Sequence, residues 1–205
     1  MIERVISGGQ TGADQAGWRA AKRFGLATGG WMPRGYLTED GPRPEFAAMY
    51  GAKEHASQKY PPRTRANARI ASATLVFGAA RVKSLSSLSA GSQITIRACM
   101  EYEKPNAVIP VQLGHAHDPR SVAVVADWIN QHAGRTLNIA GNRESKSPGI
   151  GQWVQSFLCD VFRAMGFQEL PIEPPTRRHP RRSPHSARSQ PHRPRTAPPC
   201  IDPQT

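Results

Sequence analysis

The sequence predicts an α/β protein of Rossmann-like type: a mostly parallel five-stranded sheet with helices on both faces, followed by a disordered C-terminal tail. Three observations lead there. Short apolar runs of strand length alternate along residues 1–170 with segments whose apolar residues recur every three or four positions. A glycine-rich turn, Gly8-Gly9-Gln10-Thr11-Gly12, joins the first strand directly to the first helix. From Pro171 onward the composition shifts to proline, arginine, serine and histidine. Strands alternating with helices pair in parallel through right-handed crossovers, which puts every loop that follows a strand on one rim of the sheet.

The elements follow in order. Arg4–Ser7 reads as a strand. Thr11–Phe24 reads as a helix, with Ala13, Ala16, Gly17, Ala20, Ala21 and Phe24 on one face and Gly25 closing it. Ala27–Trp31 is a short second strand, and Met32–Gly41 is a loop containing Pro33, Gly35 and Gly41. Pro61 and Pro62 suit the first turn of a helix running to about Ser72. Thr74–Phe77 is a buried-strand pattern, followed by a polar loop over Gly78–Ser89. Gly91–Glu103 reads as a helix against its β-branched run Ile94-Thr95-Ile96. Asn106–Val111 is a strand. Asp118 and Pro119 make an N-cap and first helical residue for a helix to about His132. Thr136–Ala140 is the last strand. Ser147-Pro148 opens a final helix whose apolar face is Ile150, Val154, Phe157, Leu158, Val161, Phe162 and Met165.

A chain of 205 residues suggests two parts: a ligand-binding domain over 1–170 and a tail over 171–205. The tail has too little apolar content to offset the entropy of ordering. Its seven arginines face only Glu173 and Asp202, which makes it a candidate basic arm for nucleic acid or, with its prolines, a docking segment. The formal charge of +12 also leaves the body basic, which suits an anionic ligand. No apolar h-region precedes the glycine turn, and no apolar run is long enough to span a membrane. Cys99, Cys159 and Cys200 are scattered and odd in number, as expected of reduced thiols in a cytoplasm. His115-Ala116-His117-Asp118 lacks further ligands at suitable spacing, so no directly bound metal is expected.

Three loops carry the functional expectation, because all three follow strands. The first is Gly8-Gly9-Gln10-Thr11-Gly12-Ala13-Asp14. Its glycines leave room for a ligand, and the helix behind it offers N–H groups and a positive dipole end to an anion, most often a phosphate. Its spacing is neither G-x-G-x-x-G nor a P-loop. Gln10 and Thr11 can add side-chain hydrogen bonds, and Asp14 can reach a ribose hydroxyl, hold a metal or favour the helix start. The second loop, around Ser89, Gly91 and Ser92, is another small-residue approach to a helix. The third runs from Gly141 through Arg143, Glu144, Ser145 and Lys146, where the arginine can clamp a phosphate and the lysine supplies a point charge.

These segments resemble a known family. Ser7-Gly8-Gly9-Gln10-Thr11-Gly12-Ala13-Asp14, Gly29-Gly30-Trp31-Met32-Pro33-Arg34-Gly35 and Glu39-Asp40-Gly41 are similar to the molybdenum-carrier family, a circularly permuted branch of the SLOG group of Rossmann-like nucleotide-binding proteins. Arg63-Thr64 with Asn67 fits it, as does Asn138-Ile139-Ala140-Gly141 running into Arg143-Glu144-Ser145 and Pro148-Gly149. The resemblance covers about residues 2–166. It implies a ligand at the glycine loops, either a nucleotide or molybdenum cofactor, a pterin that carries a phosphate, and it brings Arg34 among the binding residues. Two positions depart from the family pattern: Ser72-Ala73 stands where members usually have an acidic residue, and Ala90-Gly91-Ser92 where they have Gly-Gly-Thr.

The first functional expectation is therefore a binding or carrier protein for a phosphorylated small molecule. The second is a phosphoribohydrolase-like enzyme acting on nucleotides, with Asp14, Glu39 and Asp40 as candidate acid–base groups. A related branch that cleaves nucleoside monophosphates uses Pro-Gly-Gly-x-Gly-Thr-x-x-Glu, and this chain has no glutamate at the matching place. The third is nucleic-acid binding through the basic tail. A homo-oligomer is expected.

Overall fold

The computed structural model describes residues 1–79 and 84–171. The expected disordered tail, and part of the polar loop after Phe77, lie outside the described residues. The main sheet has six strands, all parallel: β1 (Arg4–Ser7), β2 (Ala27–Met32), β5 (Ala52–Glu54), β6 (Ala73–Ala79), β7 (Asn106–Val111) and β8 (Thr136–Gly141), in the order β5-β2-β1-β8-β6-β7. The sequence reading gave five. The sixth, β5, is a three-residue edge strand whose Ala52-Lys53-Glu54 has no apolar alternation, so pairing with Gly30–Met32 alone defines it. β3 (Leu37–Thr38) and β4 (Gly41–Pro42) form a separate antiparallel hairpin within the expected loop.

The chain moves toward the β5 edge from β1 to β2 and from β7 to β8, through α1 (Ala13–Arg23) and α5 (Pro119–His132). It moves the opposite way from β5 to β6 and from β6 to β7, through α3 (Tyr60–Ile70) and α4 (Ala90–Glu101). Right-handed crossovers require the two directions to place their helices on opposite faces. Accordingly α1 and α5 pack on α6 (Ile150–Ala164), while α3 packs on α4. α2 (Phe46–Tyr50) is a short helix before β5, and its Phe46 and Tyr50 enclose Trp18.

The main core lies under α1, α5 and α6. The apolar face read for α6 is buried throughout, from Ile150 to Met165. A fully buried side chain of this size contributes about 1.5–3 kcal/mol, so this face anchors the helix although its first turn has no serine cap. Gly149, not Ser147, precedes the helix, and Ser147 Oγ accepts from Asn142 Nδ2 at 3.1 Å instead. Asp118 does cap α5, accepting from the amides of Arg120 and Ser121 at 3.2 Å each.

Candidate functional site

Ser7 pairs with Ile139 and Gly141 with Phe77, so the carboxyl ends of β1, β8 and β6 are neighbours. The direction of chain travel reverses there, so the three glycine or small-residue loops meet at the switch point of the sheet. They do not form one pocket. They form two, with different chemistry.

The first is a tightly bonded hollow of about 740 Å³ lined by Thr11, Gly12, Glu39, Asp40, Glu144 and Ser145, with Arg19 and Gln152. Several of its donors already have acceptors. Glu39, carried on the β3–β4 hairpin, accepts from the Thr11 hydroxyl, from Ser145 Oγ at 2.5 Å and from Ser145 N–H at 3.3 Å. Gln10 ties the same hairpin down: its Oε1 accepts from Glu39 N–H at 3.1 Å and its Nε2 donates to Leu37 O at 3.4 Å. Glu144 accepts from Gly149 N–H at 2.5 Å and Gly151 N–H at 3.0 Å, capping α6 with a side chain from the preceding loop. Gly12 has φ 73°, and a Cβ there would meet the backbone oxygen of Asn142, so only glycine lets the two loops close on each other. Burial opposes ionisation of Glu39, but the bonds from Ser145 and Thr11 and the charge of Arg143 outweigh it. Its carboxyl therefore sits below the usual glutamate value.

The second pocket, about 250 Å³, lies between α3, α4 and the ends of β1 and β8. Gln10, Asp14, Tyr60, Arg63, Thr64, Ser89, Gly91, Ser92, Thr95, Gly141, Arg143 and Lys146 line it. Ser89 caps α4 through Ser92 N–H at 3.3 Å. The next two amides, of Ala90 and Gly91, find no acceptor among the described residues, and nothing stands within 4 Å of where a Cβ on Gly91 would be. Three cations share this pocket with one carboxylate. Arg63, nine-tenths buried, lies 3.5 Å from Asp14 Oδ2 and against the backbone of Gly8, where a Cβ would fall on its guanidinium. Its Nε is buried without a partner among the described residues. The Arg143 guanidinium stacks 4.7 Å above the Tyr60 ring, which fixes a long side chain at the pocket wall.

Asp14 sits where the sequence places the phosphate of the first loop. The Gln10 amide donates to its Oδ2 at 3.3 Å, and the Gly9 amide is turned inward to Ser7 Oγ at 3.2 Å. The first turn thus wraps a carboxylate of its own helix. Burial raises the Asp14 carboxyl above the usual aspartate value, against the opposing pull of Arg63, the Gln10 amide, Arg143 and the Gly8 amide. Burial also lowers Arg63 from the usual guanidinium value, with Asp14 pulling it back up.

The expected residues therefore divide. Gln10, Asp14, Ser89, Gly91, Ser92, Gly141, Arg143 and Lys146 share the α4 pocket. Thr11, Gly12, Glu39, Asp40, Glu144 and Ser145 line the other. Gly8 and Gly9 are packing positions beside Arg63 and Met32, and Ala13 is fully buried. Arg34 is exposed in the turn after β2 and lines neither pocket. From the residues alone, sequence reasoning gave no role to Arg63 or Tyr60. A signal was present: Arg63, Thr64 and Asn67 fall on the buried stripe of α3 with Ala68, and polar residues on a buried stripe need partners. Asn67 has one such duty, accepting from Trp31 N–H at 2.7 Å and donating to Trp31 O at 3.0 Å, which fixes α3 to β2. Among the described residues no three His, Cys, Asp or Glu gather as a metal site. None of the described helices is long and apolar enough to cross a membrane.

A parallel sheet with helices on both faces, and strand-end loops meeting at its switch point, defines a Rossmann-like protein. Residues 5–162 match the Circularly permutated YpsA SLOG family, and the chain belongs to that family. Its structure is similar to the crystal structure of a protein from Syntrophus aciditrophicus SB named "Putative molybdenum carrier protein". The two are 32% identical, with a TM-score of 0.62 over 80% of this chain and 94% of the other. Among curated proteins none matches.

Proposed function

We propose that the 1–170 domain binds a phosphorylated small molecule, with the phosphate in the α4 pocket. The observation that supports this best is the meeting of two α4 amides, without an acceptor among the described residues, with Arg63, Arg143 and Lys146 around a small concavity. Amides at a helix start favour an anion through hydrogen bonds and the dipole together. Arg143, already oriented by Tyr60, loses little freedom on clamping an oxyanion. Arg63 has a buried Nε–H to offer without leaving Asp14.

The pocket is the size of a phosphate with part of its sugar or side arm, so the remainder of the ligand lies outside it. A nucleotide derivative fits this donor set, and so does the phosphate end of molybdenum cofactor, in keeping with the printed name of the Syntrophus protein. Arg143, Arg63, Lys146 and the α4 start would hold that phosphate. Either way the role is binding or carriage in the cytoplasm.

Calorimetry with the full chain tests the reading, using a panel of nucleoside mono- and diphosphates and a molybdopterin source. Binding near 100 µM or tighter, about −5.5 kcal/mol, lost in Arg143→Gln, is the expected result. Absence of binding across the panel overturns it. One observation favours a second reading, nucleotide cleavage. Asp14 lies in the same pocket with its carboxyl pushed up, a state suited to donating a proton to a leaving base. Release of free base that stops in Asp14→Asn would establish it. Glu39 and Asp40 line the other hollow.

A further inference from the structure

A second constellation of reactive side chains lies apart from the α4 pocket. His117 precedes α5, and Ser156 and Asp160 stand about one turn apart on α6. His117 Nδ1 lies 2.7 Å from Asp160 Oδ2, and its Nε2 lies 3.3 Å from Ser156 Oγ. All three line a groove of about 650 Å³ between the 113–117 loop and α6, and none of its lining residues belongs to the α4 pocket.

The chemistry of the atoms assigns their roles. A carboxylate only accepts hydrogen bonds, so the nitrogen against Asp160 carries the imidazole proton. Nε2 of the neutral ring is then an acceptor facing the Ser156 hydroxyl. That is the order of nucleophile, base and orienting carboxylate. The ring is fixed: it is edge-on to Trp153 at 4.9 Å and to Phe157 at 5.3 Å, and its side chain is only 11% exposed. The other Asp160 oxygen accepts from Arg163 Nη1 at 2.8 Å, which holds the carboxylate in place.

Ser156, by contrast, is exposed at the groove. Its one hydroxyl hydrogen has two acceptors in reach, His117 Nε2 and Trp153 O at 3.1 Å. Rotation about a single bond swings it from the carbonyl to the base. A tie between the loop and α6 needs His117 and Asp160 alone; an accessible hydroxyl on the second nitrogen is what a nucleophile requires. Gln152 stands one turn before Ser156 on the same helix face and lines the same groove. Its side-chain amide has no partner among the described residues, so its Nε2 is a donor for an oxyanion. Leu113, 40% exposed, and Trp153 give the groove an apolar wall for an acyl group.

We propose that this groove hydrolyses small carboxylic esters, with Ser156 as nucleophile, His117 as base and then acid, and Asp160 as the residue that positions His117. Ser156 Oγ attacks the ester carbonyl carbon while its proton passes to His117 Nε2. The bond from that carbon to the leaving alcohol breaks, and Nε2 returns the proton to the alcohol. Water then attacks the acyl-serine through the same base, which releases the acid and restores the Ser156 hydroxyl. Gln152 donates to the carbonyl oxygen as it gains charge. One flexible side-chain donor suits an ester, whose bond breaks more readily than that of an amide.

Two probes of the full chain test it: turnover of p-nitrophenyl acetate, and labelling by diisopropyl fluorophosphate mapped by mass spectrometry. Steady release of p-nitrophenolate and a single label on Ser156 are expected. Ser156→Ala removes the label and lowers hydrolysis to the uncatalysed background. His117→Gln lowers kcat about 100-fold or more, the usual weight of a general base. Asp160→Asn lowers kcat at least about tenfold with KM unchanged, which loss of its exposed pair with Arg163 would not do. Circular dichroism confirms that each variant folds. Ser156→Ala changes only an exposed helix position, so it decides the matter even if His117→Gln does not fold. Hydrolysis undiminished in Ser156→Ala overturns the proposal. So does the absence of any label on Ser156 under excess reagent, which would leave the three side chains as a fastening between the loop and α6.

Discussion

The two loop pockets at the sheet rim differ in one respect: who supplies the negative charge. In the Thr11–Glu39–Glu144–Ser145 hollow the protein does, through Glu39 on hydroxyls and an amide and Glu144 on the start of α6. In the α4 pocket Asp14 answers only part of three cations, and two helix amides find no acceptor among the described residues. Glycine-rich turns are anion cradles in both, but the first is filled from within and holds loops together. A loop that looks built for phosphate in sequence can be a clasp if a carboxylate is within reach. The contrast predicts that changes in the first region cost stability and changes in the second cost affinity.

The sharpest break would come from Gly12→Ala. A Cβ at φ 73°, ψ −125° against the Asn142 oxygen is expected to cost about 2–4 kcal/mol, from backbone strain in a glycine-only region plus overpacking. Urea unfolding measures it, and a loss under 1 kcal/mol would mean the loops do not lock as described. Arg143→Gln is next: phosphate affinity falls by roughly 10–100-fold, the weight of a charge-assisted clamp, while the urea midpoint hardly moves. A large stability loss with intact affinity would invert the comparison.

Glu39→Gln is expected to lower stability by about 1–2 kcal/mol, since it weakens bonds to a charged acceptor, with affinity for phosphate little changed. The same clasp is sensitive to acid. Glu39's folded value is depressed, so its contribution is present above the ordinary glutamate value and lost as pH falls through the lower folded value. Hydrogen exchange of the 37–42 hairpin across that window reports it.

Asp14→Asn has the smallest expected effect and the most telling sign. It removes the one carboxylate that lines the α4 pocket among the described residues, so anion affinity rises several-fold. Asp14's folded value is raised, so its neutral form contributes stability that is lost as pH rises through that value. Anion binding should therefore tighten as pH falls through the same value in the native chain and lose that dependence in Asp14→Asn. Weaker anion binding in the variant would show that Asp14 orients Arg63 more than it opposes the ligand.

Much of this was legible from residues alone. The 3.6-residue period of α6, the Asp118-Pro119 start of α5 and the apolar run at Leu75–Phe77 are local signals, because burial on one face and helix capping act over a few residues. Gly141 next to Arg143 and Lys146 identified a loop that does line the α4 pocket. β5 and the β3–β4 hairpin were not legible. Two- and three-residue strands have no periodicity, and only a partner strand defines them.

The sequence by itself determined the alternation of strands and helices, and hence that the loops after β1, β6 and β8 share a rim. Handed crossovers leave an alternating chain few other arrangements. Only the tertiary structure decided which donors on that rim are spent. Whether Glu39 reaches Thr11 and Ser145, or Arg63 of a distant helix lies on Gly8 beside Asp14, depends on distances across 28 to 106 residues of chain. No local propensity encodes such distances. They are set when α3 packs against the sheet and the hairpin folds over the first turn, and that packing closed one cradle and left the other open.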